Sequence, residues 1–273
     1  MNAREAATEL VPRLALAGIP DAGFEAEFLV RIAAKISRND YFGGHKLSSI
    51  ASVRLEDAVI RRVRREPSAY IAGEREFYGL AFEVTPDVLL PRPETELLVE
   101  LGLRECQRVT GGVIVDVGTG SGAIAVALAE TIETEIVVGI DVSEPALTVA
   151  QRNARRHAAR VRFIRGDLLT PLGRADIVLA NLPYIPTSGI ASLQPEVRDW
   201  EPRLALDGGE TGLHLIRRLI DDCTARIRPK LLAMEVGLGQ AAAVAEYCGQ
   251  NGAFTETVRD LAGIERVVCA RWA

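Results

Sequence analysis

Four short apolar runs between residues 113 and 181, each ending in or beside a polar residue, constrain this chain more than any other feature. They are Val113–Val117, Ile136–Ile140, Val161–Ile164 and Ala175–Leu179. Runs of this kind, broken only by Asp116, Arg162 and Asp176, fit the strands of a parallel sheet, with the first and last of them buried. Parallel neighbours need a crossover, and helical patterns over Ala123–Glu130 and Ala146–His157 supply two. The second opens with Ser143-Glu144-Pro145, a capping serine followed by proline in the first turn. Further strands are expected at Leu231–Glu235, Phe254–Val258 and Val267–Ala270, with helices at Leu213–Arg228 and Ala241–Cys248. No helix lies between the last two strands, so they should pair antiparallel. The polar residues Asp116, Asp141, Asp167 and Asn181 then gather along the carboxyl edge of the sheet. Open α/β sheets bind their ligands at that edge.

The fourth strand runs into Asn181-Leu182-Pro183-Tyr184. Pro183 pushes Leu182 into an extended conformation and fixes its own φ, which stiffens the turn. An asparagine oxygen, the Leu182 carbonyl and the Tyr184 ring would together clamp a flat NH2 group. The tetrapeptide alone is equally compatible with a proline-stiffened turn that has no function.

Residues 1–70 are different in character. Ala6, Leu10, Leu14 and Ala17 recur at helical spacing before Gly18 and Pro20, and Phe24, Phe28, Ile32 and Ile36 repeat the pattern. Asn39–Lys46 interrupts it, and a third helix is expected from about Ser52 to Arg65, with Leu55, Val59, Ile60 and Val63 inward. A small helical bundle of this kind, appended to an enzyme, serves recognition or scaffolding. Its 11 Lys/Arg outnumber its 9 Asp/Glu, whereas the chain as a whole carries −5. The acidic balance argues against generic attraction to nucleic acid. The basic clusters at Arg61–Arg65 and Arg152–Arg162 fit solvated helix faces or a docking surface for a partner.

Cys106, Cys223, Cys248 and Cys269 are widely spaced, as are His45, His157 and His214. Free buried thiols and no metal are therefore expected. Charges within Met1–Leu16 argue against a secretory signal, and Asp116 with its glycines argues against a membrane span over Gly112–Ala129. A cytoplasmic protein is the expectation.

Between bundle and sheet, Phe77–Val84 suggests a hairpin turning near Gly79. Leu90-Pro91-Arg92-Pro93-Glu94-Thr95-Glu96 follows. A helix start explains Pro93, Glu94 and Glu96. It does not explain Arg92 between two prolines.

The turn after the first strand, Gly118-Thr119-Gly120-Ser121-Gly122, lets a ligand approach the backbone closely. With Asp116 before it, the spacing differs from the Gly-x-Gly-x-x-Gly of dinucleotide enzymes and resembles motif I of S-adenosylmethionine-dependent methyltransferases. In such a site Asp141 would take the ribose hydroxyls and Asp167 the adenine amino group, with Leu168 beside the ring. With these residues in hand, the chain resembles the protein-glutamine N5-methyltransferases that modify peptide chain release factors. The matching stretches are Tyr70–Gly73, Glu76–Leu80, Leu90–Glu96, Asp116–Gly122, Asp141, Leu193–Val197, Glu201–Gly209 and Glu235–Gly237 with Gln240. One departure is Leu182, where the family usually has proline. Asn-Leu-Pro-Tyr also occurs in ribosomal RNA adenine dimethyltransferases.

The resemblance implies an α/β, Rossmann-like class I methyltransferase with a seven-stranded, mostly parallel sheet, a small N-terminal helical bundle and a linking β-hairpin. The expected divisions are 1–70 for substrate recognition, 71–92 for the hairpin linker and 93–273 for the methyltransferase domain. It implies S-adenosyl-L-methionine as methyl donor, S-adenosyl-L-homocysteine as product, and a release-factor glutamine in a Gly-Gly-Gln motif as acceptor. Asn181, Leu182, Pro183 and Tyr184 would hold the amide, with Arg92 and Glu94 organising the substrate mouth and Arg65 at the basic end of a docking helix. A monomer without direct nucleic-acid contact is expected. The rivals are an adenine N6-methyltransferase, which presents the same two N–H groups, and a non-catalytic S-adenosylmethionine-binding protein.

Overall fold

The computed structural model describes residues 1–109, 111–133 and 136–272. It divides into two compact units, Met1–Gly73 with Gln194–Trp200, and Glu74–Leu193 with Glu201–Ala273. The final residue of the expected methyltransferase domain, 273, lies outside the described residues.

The first unit holds α1 (Ala3–Leu16), α2 (Ala22–Ala34), α3 (Arg38–Phe42), α4 (Ser49–Val63) and α5 (Ser68–Ala72). Two of these were not expected. The short α3 forms because Ser37 and Asp40 make a reciprocal capping box, which outweighs Gly43-Gly44 just beyond. α5 starts directly after Pro67 and ends at Gly73, whose φ of 77° suits glycine alone. The buried stripe of α2 is Ala26, Leu29, Val30 and Ala33; of the expected stripe, Ile32 and Ile36 pack partly buried against this core, and Phe24 is 61% exposed. Small and branched residues fit the close α1–α2 approach, where the phenylalanines would not. In α4, Leu55 and Val59 are buried as expected and Ile60 is not.

Of the arginines in the first basic cluster, Arg61, Arg62 and Arg65 are engaged inside this unit, while Arg64 is exposed. Arg62 is buried and donates to Glu25 and Glu196, both at 3.0 Å. Arg65 forms a two-pronged pair with Glu196 at 2.7 Å, and Arg61 pairs with Glu66. The segment around α9 (Pro195–Arg198) thereby joins the first unit's contacts. A forked guanidinium matches a carboxylate in this way, so the charge run reads as internal fastening.

The second unit begins with the antiparallel hairpin β1 (Glu74–Phe77) and β2 (Leu80–Glu83). Tyr78 and Gly79 both have positive φ, the twist a two-residue hairpin turn requires. The hairpin packs on its unit: Asn153 bonds both backbone groups of Glu83, and Phe77 and Phe82 are buried. Next come α6 (Glu96–Cys106), β3 (Val113–Val117), α7 (Ala123–Ala129), β4 (Ile136–Asp141), α8 (Glu144–Arg156), β5 (Val161–Arg165) and β6 (Ile177–Ala180). After α9 follow α10 (His214–Asp222), which continues into a π-helical turn, then β7 (Leu231–Glu235), α11 (Ala241–Gln250), β8 (Ala253–Arg259) and β9 (Glu265–Trp272).

The sheet order is β5-β4-β3-β6-β7-β9-β8, with only the pairings of β9 antiparallel. The reversal of strand order beside β3 makes the switch point at which such sheets open a crevice. Two apolar layers cover its faces, one under α10 and α11 and one under α6 and α7. Gly139 in β4 is required by crowding: a Cβ there would sit 2.7 Å from the Phe163 ring and 2.9 Å from Thr119 Oγ1. All four cysteines are buried and unbridged. Among the described residues no helix is long and apolar enough to cross a membrane, and no cluster suited to a metal ion occurs.

Candidate active site

A cavity of about 440 Å³ opens at the carboxyl ends of β3, β4, β5 and β6. Its walls come from 87–92 with Thr95, from 117–121, from 140–143, from 166–168 and from Asn181–Pro183, with Leu204, Ala205 and Leu215 closing the rim. Three of the four apolar runs therefore bring their polar ends, Asp141, Asp167 and Asn181, to one space, and the first brings the turn that follows it.

The glycine turn is held from below. Asp116, fully buried, accepts from Thr119 Oγ1 at 2.6 Å and from the Ala125 amide at 3.2 Å, which ties the turn to the first residues of α7. It does not line the cavity, and neither does Gly122. Gly118, Gly120 and Gly122 have φ of 74°, 55° and 81°, so each needs glycine. At Gly120 an added Cβ would meet no atom nearer than 3.9 Å and would stand in open space instead of against protein. That is the property of a backbone shaped for a ligand.

Burial pushes the Asp116 carboxyl up to about 7, against the stabilising bond from Thr119, and its Oδ1 has no hydrogen-bond partner among the described residues. The folded chain thus retains a proton that the unfolded chain releases near 3.8. This contribution to stability is complete below that value and is lost as pH rises through 7. The expected result is that Asp116→Asn gains stability relative to the native chain as pH rises across this window, with a slope of at most about 1.4 kcal/mol per pH unit. Denaturant melts at pH 4 and pH 7 check it; a pH-independent difference would remove the proton from Asp116.

Asp141 ends β4 and lines the cavity. Its Oδ2 accepts from the Gly120 amide and its Oδ1 from the Ser143 amide, both at 2.9 Å. Burial raises its pKa, while the two amides draw it back down. The carboxylate is fixed in place and each oxygen keeps a lone pair for a ligand hydroxyl. Asp167 lies after β5, paired with Arg218 at 2.6 Å, and beside it Leu168 is buried with φ of 49°. This backbone conformation costs a leucine energy and turns its side chain to the cavity wall.

Asn181 and Pro183 line the same cavity, as does the buried Leu182. Leu182 fits where a bulkier opposite wall would exclude it: a Cβ on Gly118 would come within 3.0 Å of Leu182 Cδ2. Asn181 Nδ2 donates to Thr95 Oγ1 at 3.0 Å, and Thr95 donates to Glu235 Oε2 at 2.6 Å. Tyr184, expected in the clamp, does not line the cavity: it is half-buried against the apolar layer under α10 and α11, with its hydroxyl 3.4 Å from Glu235 Oε1 and its pKa raised to about 12, chiefly by burial. Its carbonyl accepts from Gln240 Nε2 at 2.9 Å, and Gln240 Oε1 accepts from the Gly237 amide at 2.8 Å.

Two glycines back the clamp. A Cβ on Gly208 would lie 2.6 Å from the Pro183 carbonyl oxygen, and one on Gly212 would collide with the Tyr184 carbonyl. Gly208→Ala should therefore displace Pro183 and destabilise the fold by about 1–3 kcal/mol, the usual range for overpacking. Thermal melting paired with a turnover assay checks this, and a variant equal to the native chain in both would show that the loop yields freely.

Arg92 lines the cavity in an extended conformation and pairs with Glu201 Oε1 at 2.5 Å, while Glu201 Oε2 accepts from the Leu90 amide. The two prolines around Arg92 thus hold a strap against a buried carboxylate more than 100 residues away. Glu94 does not line the cavity. Thr95, Glu201, Gln240 and the strap at Val88–Leu90 had no role assigned from sequence, because their partners are distant in the chain.

The N-terminal residues 5–73 match the family described as the PrmC N-terminal domain, and residues 114–200 match a methyltransferase domain family. A release factor glutamine methyltransferase from Geobacter sulfurreducens is 42% identical over 94% of this chain and 92% of its own length. One from Moorella thermoacetica is 41% identical over 99% of this chain and 98% of its own. The chain belongs to the release factor glutamine methyltransferase family. Among solved structures, the hMettl16 catalytic domain in complex with a 3'UTR hairpin superposes with a TM-score of 0.58 over 90% of this chain and 92% of that one, at 14% identity. A methyltransferase from Pyrococcus furiosus gives 0.52 over 82% and 98%, at 16% identity. These two likenesses are of fold, and they agree with the seven-stranded class I methyltransferase sheet. Against the family's usual proline, Leu182 keeps the restraint from Pro183 and adds a side chain that fills the space above Gly118.

Proposed function

We propose that this chain transfers a methyl group from S-adenosylmethionine to the side-chain amide nitrogen of a glutamine, the one in the Gly-Gly-Gln motif of a peptide chain release factor. The observation that carries the reading is Asn181: it lines the cavity, and its Nδ2 is already engaged by Thr95. The relatives' shared name supports the choice of acceptor.

The residues present fit the donor. Asp141 offers a fixed carboxylate for the ribose hydroxyls, the open face over Gly120 admits the backbone-facing part of the molecule, and Leu168 offers an apolar wall for a ring. Asp167 would accept from the adenine amino group while it keeps its pair with Arg218. When bound, S-adenosylmethionine supplies an electrophilic methyl on a positively charged sulfur.

An amide nitrogen is a poor nucleophile, because its lone pair is delocalised into the carbonyl. Asn181 Oδ1 and the Leu182 carbonyl would each accept one N–H, which favours a pyramidal nitrogen as the new C–N bond forms. Tyr184, anchored through Gln240 and Glu235, would bound the amide's flat face. The nitrogen becomes far more acidic once methylated, so its proton can leave to water without a strong base. Positioning then supplies most of the acceleration, for which about 7–11 kcal/mol is available. The first unit would recognise the release factor. Its arginines at 61, 62 and 65 are spent on internal carboxylates, so the recognition surface must lie elsewhere on it. The protein would act as a cytoplasmic monomer.

Labelled S-adenosylmethionine offered with a purified release factor, or with RNA, tests the reading. The label should appear on the glutamine of the Gly-Gly-Gln peptide by mass spectrometry. Label on RNA alone, or on neither, would overturn it.

A further inference from the structure

We infer that Thr95 and Glu235 are positioning residues that set which way round the Asn181 amide faces, and so decide that the clamp accepts an NH2 group and does not grip a carbonyl. This deepens the proposed function and rests on it. The argument is one of hydrogen-bond polarity. A threonine hydroxyl has one hydrogen to donate. Burial raises the Glu235 pKa, while the hydroxyls of Thr95 and Tyr184, one aimed at each oxygen, draw it back down; with Glu235 ionised it can only accept, and the Thr95 hydrogen, 2.6 Å away, goes to Oε2. Thr95 Oγ1 can then only accept from its other neighbour, 3.0 Å away, so the Asn181 amide must turn its Nδ2 to Thr95. Oδ1 remains without a partner among the described residues, on a side chain that lines the cavity. Were the amide reversed, the cavity would meet an NH2 donor, and a substrate NH2 would face a like group.

The anchor of this relay is Glu235 at the end of β7, next to β6, whose end carries Asn181. It is 2% exposed and held from the far side by the Tyr184 hydroxyl. The carboxylate therefore bonds Tyr184 directly and reaches Asn181 through Thr95. Thr95 enters from the short turn Pro93–Thr95 at the head of α6. A third element thus fixes the side chain of the second, a placement that sheet register alone does not provide. Of the motif Pro91–Glu96, the threonine is the residue that reaches the clamp directly.

The test compares Thr95→Val, which keeps shape and removes the hydroxyl, with Thr95→Ser, which keeps the hydroxyl, using the full chain and a release factor as acceptor. Val should lower kcat about 10- to 100-fold with the KM for both substrates and the cofactor dissociation constant within about threefold, because the loss falls on the reacting geometry. Ser should restore kcat to within about threefold. A second readout needs no turnover: in spectra with 15N-asparagine, the Asn181 side-chain NH2 signals, assigned by their loss in Asn181→Ala, should shift in Val and stay in Ser. Equal kcat and unshifted signals in the Val variant would overturn the relay while native turnover upheld the proposed function. Absence of native turnover on the release factor would overturn that function and leave the spectral arm to decide the relay.

Discussion

Asn181→Ala is expected to lower methyl transfer to the release factor by about 10³-fold or more, while the donor dissociation constant rises no more than several-fold. Removing a single group that stabilises developing charge costs about 10²–10³ in kcat. Here the loss should be larger, because the amide also holds the nitrogen in line. Among the described residues the side chain hydrogen-bonds Thr95 alone, so truncation leaves the bonds that hold the glycine turn in place. Single-turnover kinetics alongside calorimetric titration separates the two effects. Near-native turnover in this variant would take Asn181 out of the mechanism.

Asp141→Ala should show the opposite pattern, with donor affinity falling about 10- to 100-fold and the rate at saturation much less affected. Charge-assisted hydrogen bonds contribute about 1.5–3 kcal/mol each, and the ribose contact would be one of them. The same carboxylate also accepts from the Gly120 and Ser143 amides, so its loss frees the turn that shapes the donor's cradle. Calorimetry decides the matter directly, and an unchanged dissociation constant would count against the ribose role.

Much of the second unit was legible because a buried parallel strand has no polar face to blur its limits. β3, β4, β6 and β7 lie where largely apolar runs placed them, and so does β5, although it is an edge strand with Arg162 in it and no fully buried residue. The residues that follow β4, β5 and β6 and the turn after β3 meet in one cavity, since parallel strands all deliver their carboxyl ends to the same edge. The bundle was less legible. Alanine-rich helices such as α1 and α2 bury small residues, so the stripe of Phe24, Phe28, Ile32 and Ile36 marked the flank of the buried face of α2 instead of its centre. The charge run at Arg61–Arg65 looked like a surface because its partner Glu196 lies far along the chain.

At the candidate site, local chemistry was visible and distant pairing was not. Gly118 and Gly120 announce a close backbone approach by their residue type. Asp116 belongs to the same motif, yet it works beneath the turn and off the cavity wall. Arg92 was recognisable as unexplained, and Glu201 is its explanation. Thr95 was hidden because a threonine at a helix start has an ordinary capping role. Only coordinates bring it to Asn181.

The position of β9 carries a consequence for how the molecule comes into being on the ribosome. β9 follows β8 in order of synthesis, yet it is inserted between β7 and β8. Until it emerges, β7 is a bare margin of the nascent sheet, fully apolar but for Glu235, and β8 has no neighbour to pair with. Such a margin invites pairing with other chains. A released chain that stops short of residue 265 would thus keep that margin open to other chains.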